Sequence, residues 1–204
     1  MNGEIDTDTL RSAIEAAINR FNGSMDCDTL LRPLKDDAEP NSSEWHAAHE
    51  RAIAHRLAFY FECALRNRQL LDDQSQLSVD CEYDRHIDDG KKLRTILDQA
   101  FIIERAGRTW EELVDEPGVI EFLIKPDIVL HERRTDDHNL VVIELKKASS
   151  RELREYDDLK LTIFTTPKPA GYNYRLGYAV TVRDDVEPHQ RLLTLDAEYQ
   201  TGVA

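Results

Sequence analysis

The chain has 204 residues but only three cysteines, Cys27, Cys63 and Cys81. They are far apart, odd in number and form no CxxC pair. That excludes a disulfide framework and a cysteine-built zinc site, and it fits a reducing cytoplasm. Long apolar runs are missing too. Stretches such as Leu140 to Ile143 fall far short of the roughly 20 residues that span a bilayer. The opening MNGEIDTDTL has no basic region followed by an apolar one, so no secretory signal is expected. Positive charge is scarce: 26 Lys and Arg against 40 Asp and Glu leave a net charge of −14. A nonspecific nucleic-acid coat would carry the opposite sign. No glycine-rich phosphate loop and no GxSxG elbow is present, so the usual marks of a nucleotide-cradling loop or a serine hydrolase are absent.

Hydrophobic residues make up 41% and charged residues 32%, which describes a soluble globular chain rather than a disordered one. The length is enough for one domain with a sizeable core. Aspartate is abundant and lysine is scarce beside arginine. Two readings follow, an ordinary acidic cytosolic protein or one adapted to high salt.

Helical spacing of Leu10, Ile14, Ala17, Ile18 and Phe21 predicts an amphipathic helix from Thr9 to Phe21, capped by Asp8 and ended by Asn22-Gly23. A short helical piece is expected over Asp28–Arg32. PLKDDAEPNSS, Pro33 to Ser43, reads as a linker. The chain therefore divides into an N-terminal helical appendage with its linker, residues 1–40, and a main domain, residues 41–204. Ser42 or Ser43 can cap a helix from Glu44 to about Asn67. Leu57, Tyr60 and Ala64 lie within about 40° of Ile53 on its wheel, and Glu50 lies at about 60°, on the flank of the buried face. Val79, Cys81 and Tyr83 alternate with Asp80, Glu82 and Asp84, a strand pattern over Ser78–His86. Lys92–Glu104 is expected to be helical, and Thr109–Gly118 to hold one short helix. Pro126–Glu132 and Leu140–Lys146 form a hairpin across the polar turn Thr135–Asn139. A helix capped by Ser149 or Ser150 runs to about Leu161, and Tyr174–Arg183 is a further strand. The last residues, beyond His189, carry no clear assignment. The class is α/β, a mixed sheet flanked by helices.

Chemistry concentrates in one place. Residues two apart on a strand face the same way, so Glu144 and Lys146 share a face with Val142. Leu140 to Leu145 is apolar enough for a central strand covered on both sides. A charge there is costly unless it is paired or binds a metal. Asp127 opens the neighbouring strand of the hairpin and can lie near Glu144. Two carboxylates supply hard oxygen ligands of the kind that hold Mg²⁺. A lysine beside them can orient water or stabilise charge on a phosphoryl group. Glu50 on its helix can add a third carboxylate.

PDIV (Pro126–Val129) followed by ELK (Glu144–Lys146) resembles the PD-(D/E)XK nuclease superfamily, with its restriction-endonuclease-like fold. VDCEYDR, PDIVLHERR, NLVVIELKK and DDLKL together resemble a group of small prokaryotic members, over about Ser43 to Arg183. Asp84 stands where that group would have asparagine. The resemblance implies a core in the order α-β-β-β-α-β. It implies Asp127 and Glu144 as metal ligands, Lys146 as the catalytic lysine and Glu50 as the helix carboxylate. The backbone carbonyl of Leu145 would be a further ligand. It implies Mg²⁺ or Mn²⁺ and hydrolysis of nucleic-acid phosphodiesters, DNA ahead of RNA, in phage defence or DNA processing. A homodimer, or a protein partner held through the N-terminal helix, would fit such an enzyme.

Plainer readings stand beside these. Asp127 can be a turn residue, and Glu144 and Lys146 a cross-strand ion pair. Glu82 can reach the site or pair with Arg85 or Arg56. His46 and His49, one turn apart, read as core histidines rather than a metal pair, and His131 as an exposed strand-end residue. Lys160 can contact substrate phosphate or be a solvated helix charge. Arg133 and Arg134 can contact phosphate or stand in solvent beside Asp136 and Asp137. The whole domain can also be a catalytically inactive nuclease fold serving as a nucleic-acid-binding or assembly module.

Overall fold

A computed structural model describes residues 5–32, 47–83, 85–86, 89–90, 92–96, 114–116, 119–135, 137–149 and 154–201. The linker, Glu44, His46, Asp84, Asp136, Ser150 and residues 97–113 lie outside them.

Helix α1 spans Thr7–Asn22 and buries Leu10, Ala13, Ile14, Ala17, Ile18 and Phe21 on one stripe. Its cap is Asp6 rather than Asp8: the Asp6 carboxylate accepts the Thr9 N–H at 2.8 Å. This satisfies one of the amides that a helix start leaves open. Helix α2 follows at Met25–Leu31. Helix α3 runs from Glu50 to Asn67, six residues later than the sequence pattern predicts. Residues 47–49 are not helical because their backbone bonds elsewhere. The Ala48 N–H donates to the Leu30 carbonyl at 2.7 Å, and the Lys147 ammonium donates to the Ala47 carbonyl at 2.8 Å. His49, expected in the core, is exposed and caps α3, its Nδ1 accepting the Arg51 N–H at 3.3 Å.

Ten strands follow among the described residues: β1 (Leu77–Cys81), β2 (Arg85–His86), β3 (Asp89–Gly90), β4 (Lys92–Ile96), β5 (Val114–Glu116), β6 (Val119–Leu123), β7 (Ile128–Glu132), β8 (Val141–Lys147), β9 (Leu176–Val182) and β10 (Leu193–Gln200). Helix α4, Arg154–Thr165, lies between β8 and β9. The main sheet has the order β1-β7-β8-β9-β10. All its pairs are antiparallel except β8 with β9. A parallel pair needs a long crossover, and α4 supplies it. The chain is thus α/β, a five-stranded mixed sheet flanked by helices.

Two expectations fail between β1 and β7. Lys92–Ile96 is a strand, paired antiparallel with Val119–Leu123. Val114–Glu116 is a strand on the other side of β6, where one short helix is expected. A stretch as short as KLRTI fits either period, and its Thr95 and Ile96 favour extended backbone once a β-branched partner such as Val119-Ile120 is beside it. Ser149 does not start α4 either; its N–H and hydroxyl both donate to Asp184.

The sheet separates two apolar layers. On one side Ile128, Leu130, Val141, Ile143, Leu145, Tyr178 and Val180 meet the stripes of α1 and α3 in one continuous core. On the other, Val129 and Val142 meet Leu161 and Phe164 of α4 with Tyr172 and Tyr174. Gly177 of β9 lies beneath α4. A Cβ there would stand 3.0 Å from Thr165 Cγ2 and 3.3 Å from Leu161 Cδ2, so glycine sets how closely the helix approaches the sheet. That close approach brings the polar start of α4 onto the end of β8.

Candidate active site

The site forms where β8 outruns β7. Ile128, the first residue of β7, pairs with Ile143 of β8. Beyond that point the β8 amides at Leu145 and Lys147 face a side with no strand. Buried amides require acceptors, and two carboxylates provide them. Asp127 Oδ2 accepts the Leu145 N–H at 2.7 Å. Glu50 Oε1 accepts the Lys147 N–H at 2.8 Å. The proline-linked aspartate before β7 and the first residue of α3 therefore continue the ladder that β7 abandons. Each spends one oxygen; Asp127 Oδ1 and Glu50 Oε2 make no hydrogen bond among the described residues.

Glu144 immediately precedes the first of those two amides, on the α4 side of the sheet, one residue past Ile143 as Asp127 is one residue before Ile128. It is 2% exposed. Its Oε2 accepts from the Lys160 ammonium at 2.5 Å. The same ammonium lies 2.9 Å from Asp157 Oδ1. Lys146, two residues on from Glu144, reaches 3.7 Å from Asp157 Oδ2. Glu144 Oε1 and Asp157 Oδ2 are buried and have no hydrogen-bond partner among the described residues. Asp127, Glu144, Asp157 and Glu50 thus face two ammoniums, Lys146 and Lys160, an excess of negative charge.

Electrostatics follow from that crowding. Burial raises the Asp127 carboxyl to about 6; Lys160 and the Leu145 N–H oppose the rise, while Asp157 and Glu50 add to it. Burial, joined by Asp127 and Asp157 and opposed by Lys160, holds Glu144 well above the usual carboxylate range. Burial works against the charge of Lys160, but Glu144, Asp157 and Asp127 outweigh it and raise the ammonium above the ordinary lysine value. Shifted groups of this kind cluster where side chains are held for a task, and also in structural ion-pair networks.

The remaining expected residues go elsewhere. Glu82 turns away at the end of β1 with φ 50°; its N–H donates to the Asp127 carbonyl at 3.1 Å. Its carboxylate pairs with Arg51 rather than Arg56; the Arg85 side chain lies outside the described residues. Arg56 instead holds Asp26 at 2.6 Å. Arg133 is bonded to Asp80, and Asp80 Oδ2 lies 3.0 Å from His131 Nε2. His131 is 2% exposed, not a solvent-facing strand end, and packs edge-to-face on Tyr83 with ring centroids 4.2 Å apart. Arg134, with φ 69°, is exposed in the hairpin turn. Asp157 is the functional candidate that the sequence reading passes over. Its signal is the spacing Asp157, Lys160, Leu161 and Phe164: the apolar stripe of α4 continues into both charged residues, so both face the sheet.

Comparison with known proteins finds no matching family model, no matching curated protein and no matching solved structure.

Proposed function

We propose that the chain is a Mg²⁺- or Mn²⁺-dependent nuclease with a restriction-endonuclease-like core, hydrolysing phosphodiester bonds in nucleic acid, DNA ahead of RNA. The observation that carries this reading is Glu144 Oε1: a carboxylate oxygen buried without a partner, beside Asp127 across the hairpin and on the face of Lys146. The order α3, β1, β7, β8, α4, β9 around the main sheet is compatible with such a core.

A hard dication suits this donor set, since Asp127, Glu144 and Glu50 offer only oxygen. As placed, no three such side chains among the described residues converge on a metal position; the unpaired oxygens of Asp127, Glu144 and Glu50 are the donors that would hold one, joined by the Leu145 carbonyl. When bound, the ion would lower the pKa of a water and offset charge on the phosphoryl group. Lys146 would orient the attacking water and stabilise charge developing on the phosphoryl oxygens. Asp127 and Glu50 fix the backbone of β8, and with it the direction of Glu144 and Lys146. Arg134, exposed at the hairpin, is available to nucleic-acid phosphate; Arg133 would first have to release Asp80. A role in phage defence or DNA processing, a cytoplasmic location and action as a homodimer belong to the same proposal.

The test is cleavage of DNA and RNA panels with Mg²⁺ or Mn²⁺ by wild type, Glu144→Ala and Lys146→Ala. Loss of more than about 100-fold in each variant is expected. Full activity in either variant would falsify the assignment.

A second reading is a non-catalytic module of the same fold. It is favoured by the way the carboxylates are already used: Glu144 by Lys160, Asp127 and Glu50 by β8 amides. Binding of nucleic acid without cleavage under either metal would select it.

A further inference from the structure

We propose that Lys160 is a built-in counter-cation of the carboxylate site and competes with a divalent metal ion for Glu144. The inference deepens the metal-site reading and rests on it.

One ammonium bridges two buried carboxylates, at 2.5 Å from Glu144 Oε2 and 2.9 Å from Asp157 Oδ1. Lys160 and Asp157 are each 7% exposed and Glu144 is 2% exposed. A phosphate-reading lysine would project into solvent, yet this one is enclosed between helix and sheet. Each bridged carboxylate keeps one buried oxygen with no hydrogen bond, Glu144 Oε1 and Asp157 Oδ2. The bridge therefore offsets part of the charge of the two carboxylates without saturating their oxygens. A buried carboxylate needs a compensating charge, and Lys160 supplies it with no metal present.

A dication on Glu144 would enter the space that this ammonium already serves. Two cations a few ångströms apart in a poorly screened site repel strongly. The lysine stem is long and flexible enough to retreat. Asp157 would not be stranded when it does, because Lys146 Nζ already stands 3.7 Å from its second oxygen. The site thus has two compensated arrangements, Lys160 on Glu144 or metal on Glu144. Exchange between them makes metal affinity weaker than the oxygen donors alone would give.

MnCl₂ titration calorimetry on wild type, Lys160→Met and Lys160→Arg tests this. Lys160→Met is expected to bind Mn²⁺ at least ten-fold more tightly than wild type, with Lys160→Arg near wild type. Because Lys160→Met can fail to fold, wild type is also treated by reductive methylation with and without saturating Mn²⁺, and the lysines are read by mass spectrometry. Labelling of Lys160 is expected to rise several-fold with Mn²⁺. If wild type binds Mn²⁺ but Lys160→Met binds no more tightly, or Lys160 labelling stays constant, competition is overturned and the metal reading survives. If folded wild type and Lys160→Met both fail to bind Mn²⁺, the metal reading falls and the competition with it.

Discussion

The carboxylate of Glu50 accepts the backbone N–H of Lys147 at 2.8 Å, across 97 positions of sequence. The helix carboxylate is thereby fixed to the strand that carries Glu144 and Lys146. Glu50→Gln keeps an acceptor oxygen and should leave stability within about 0.5 kcal/mol of wild type. Glu50→Ala leaves the amide open and should cost about 1–3 kcal/mol. Urea denaturation compares the two. If Glu50→Gln also loses metal-dependent cleavage while remaining stable, its charge serves the chemistry and not the ladder alone.

Asp127 has a pH signature. Its folded carboxyl, raised to about 6, sits above the ordinary aspartate value of 3.8. The folded state therefore holds this proton more tightly than the unfolded one. The resulting stabilisation is complete below the unfolded value and is lost as pH rises through about 6. Asp127→Asn still accepts from Leu145 and carries no charge. In EDTA it should be more stable than wild type at pH 7, by about 1–3 kcal/mol, and the difference should shrink towards pH 4. A difference independent of pH would rule out the raised carboxyl.

Asp80 shows the opposite sign. Burial works against its charge, but Arg133 and His131 overcome it and hold the carboxyl below its ordinary range. Its contribution is present at neutral pH and fades as pH falls through the ordinary range and below. Asp80→Ala strands a buried imidazole and should cost about 1–3 kcal/mol at pH 7. Arg133→Ala removes only a largely exposed partner and should cost less than about 1 kcal/mol. Thermal melts at pH 7 and pH 3.5 separate the pair; equal losses would contradict the ordering.

Helix α1 shares the core of α3 and the main sheet, with Leu10, Ala13 and Phe21 wholly buried there. Ile14→Ala should cost about 2–5 kcal/mol. Removal of residues 1–40 should give an unfolded or aggregated product, read by circular dichroism and size exclusion. A soluble, cooperatively melting fragment would show that α1 is dispensable.

Much of this was legible from period alone. The stripe from Leu10 to Phe21 and the alternation through VVIELKK mark which faces are buried, because apolar burial dominates wherever an element packs on one side. The hairpin also follows, and with it the nearness of Asp127 and Glu144. Periodicity says nothing about which charge answers which. Glu82 meets Arg51, Arg133 meets Asp80 and Lys160 meets Glu144 only because distant elements converge. The Lys92–Ile96 strand was hidden for a related reason, since its β6 partner lies more than twenty residues away. In β10, Leu193 and Leu195 alternate, but the register shifts between Leu195 and Ala197, which blurs the signal.

The chain leaves the main sheet at Cys81 and returns at Ile128, its own pairing partner. The described strands between, β2 to β6, lie outside the main sheet, and the two ends of this excursion are already joined. Lengthening such a closed excursion is inexpensive, about 0.6 kcal/mol for each doubling. The stretch carrying β2 to β6 can therefore be lengthened, shortened or exchanged while Asp127, Glu144 and Glu50 keep their places. It is a natural address for insertion: a piece hung on the frame by two ends that the sheet already clasps.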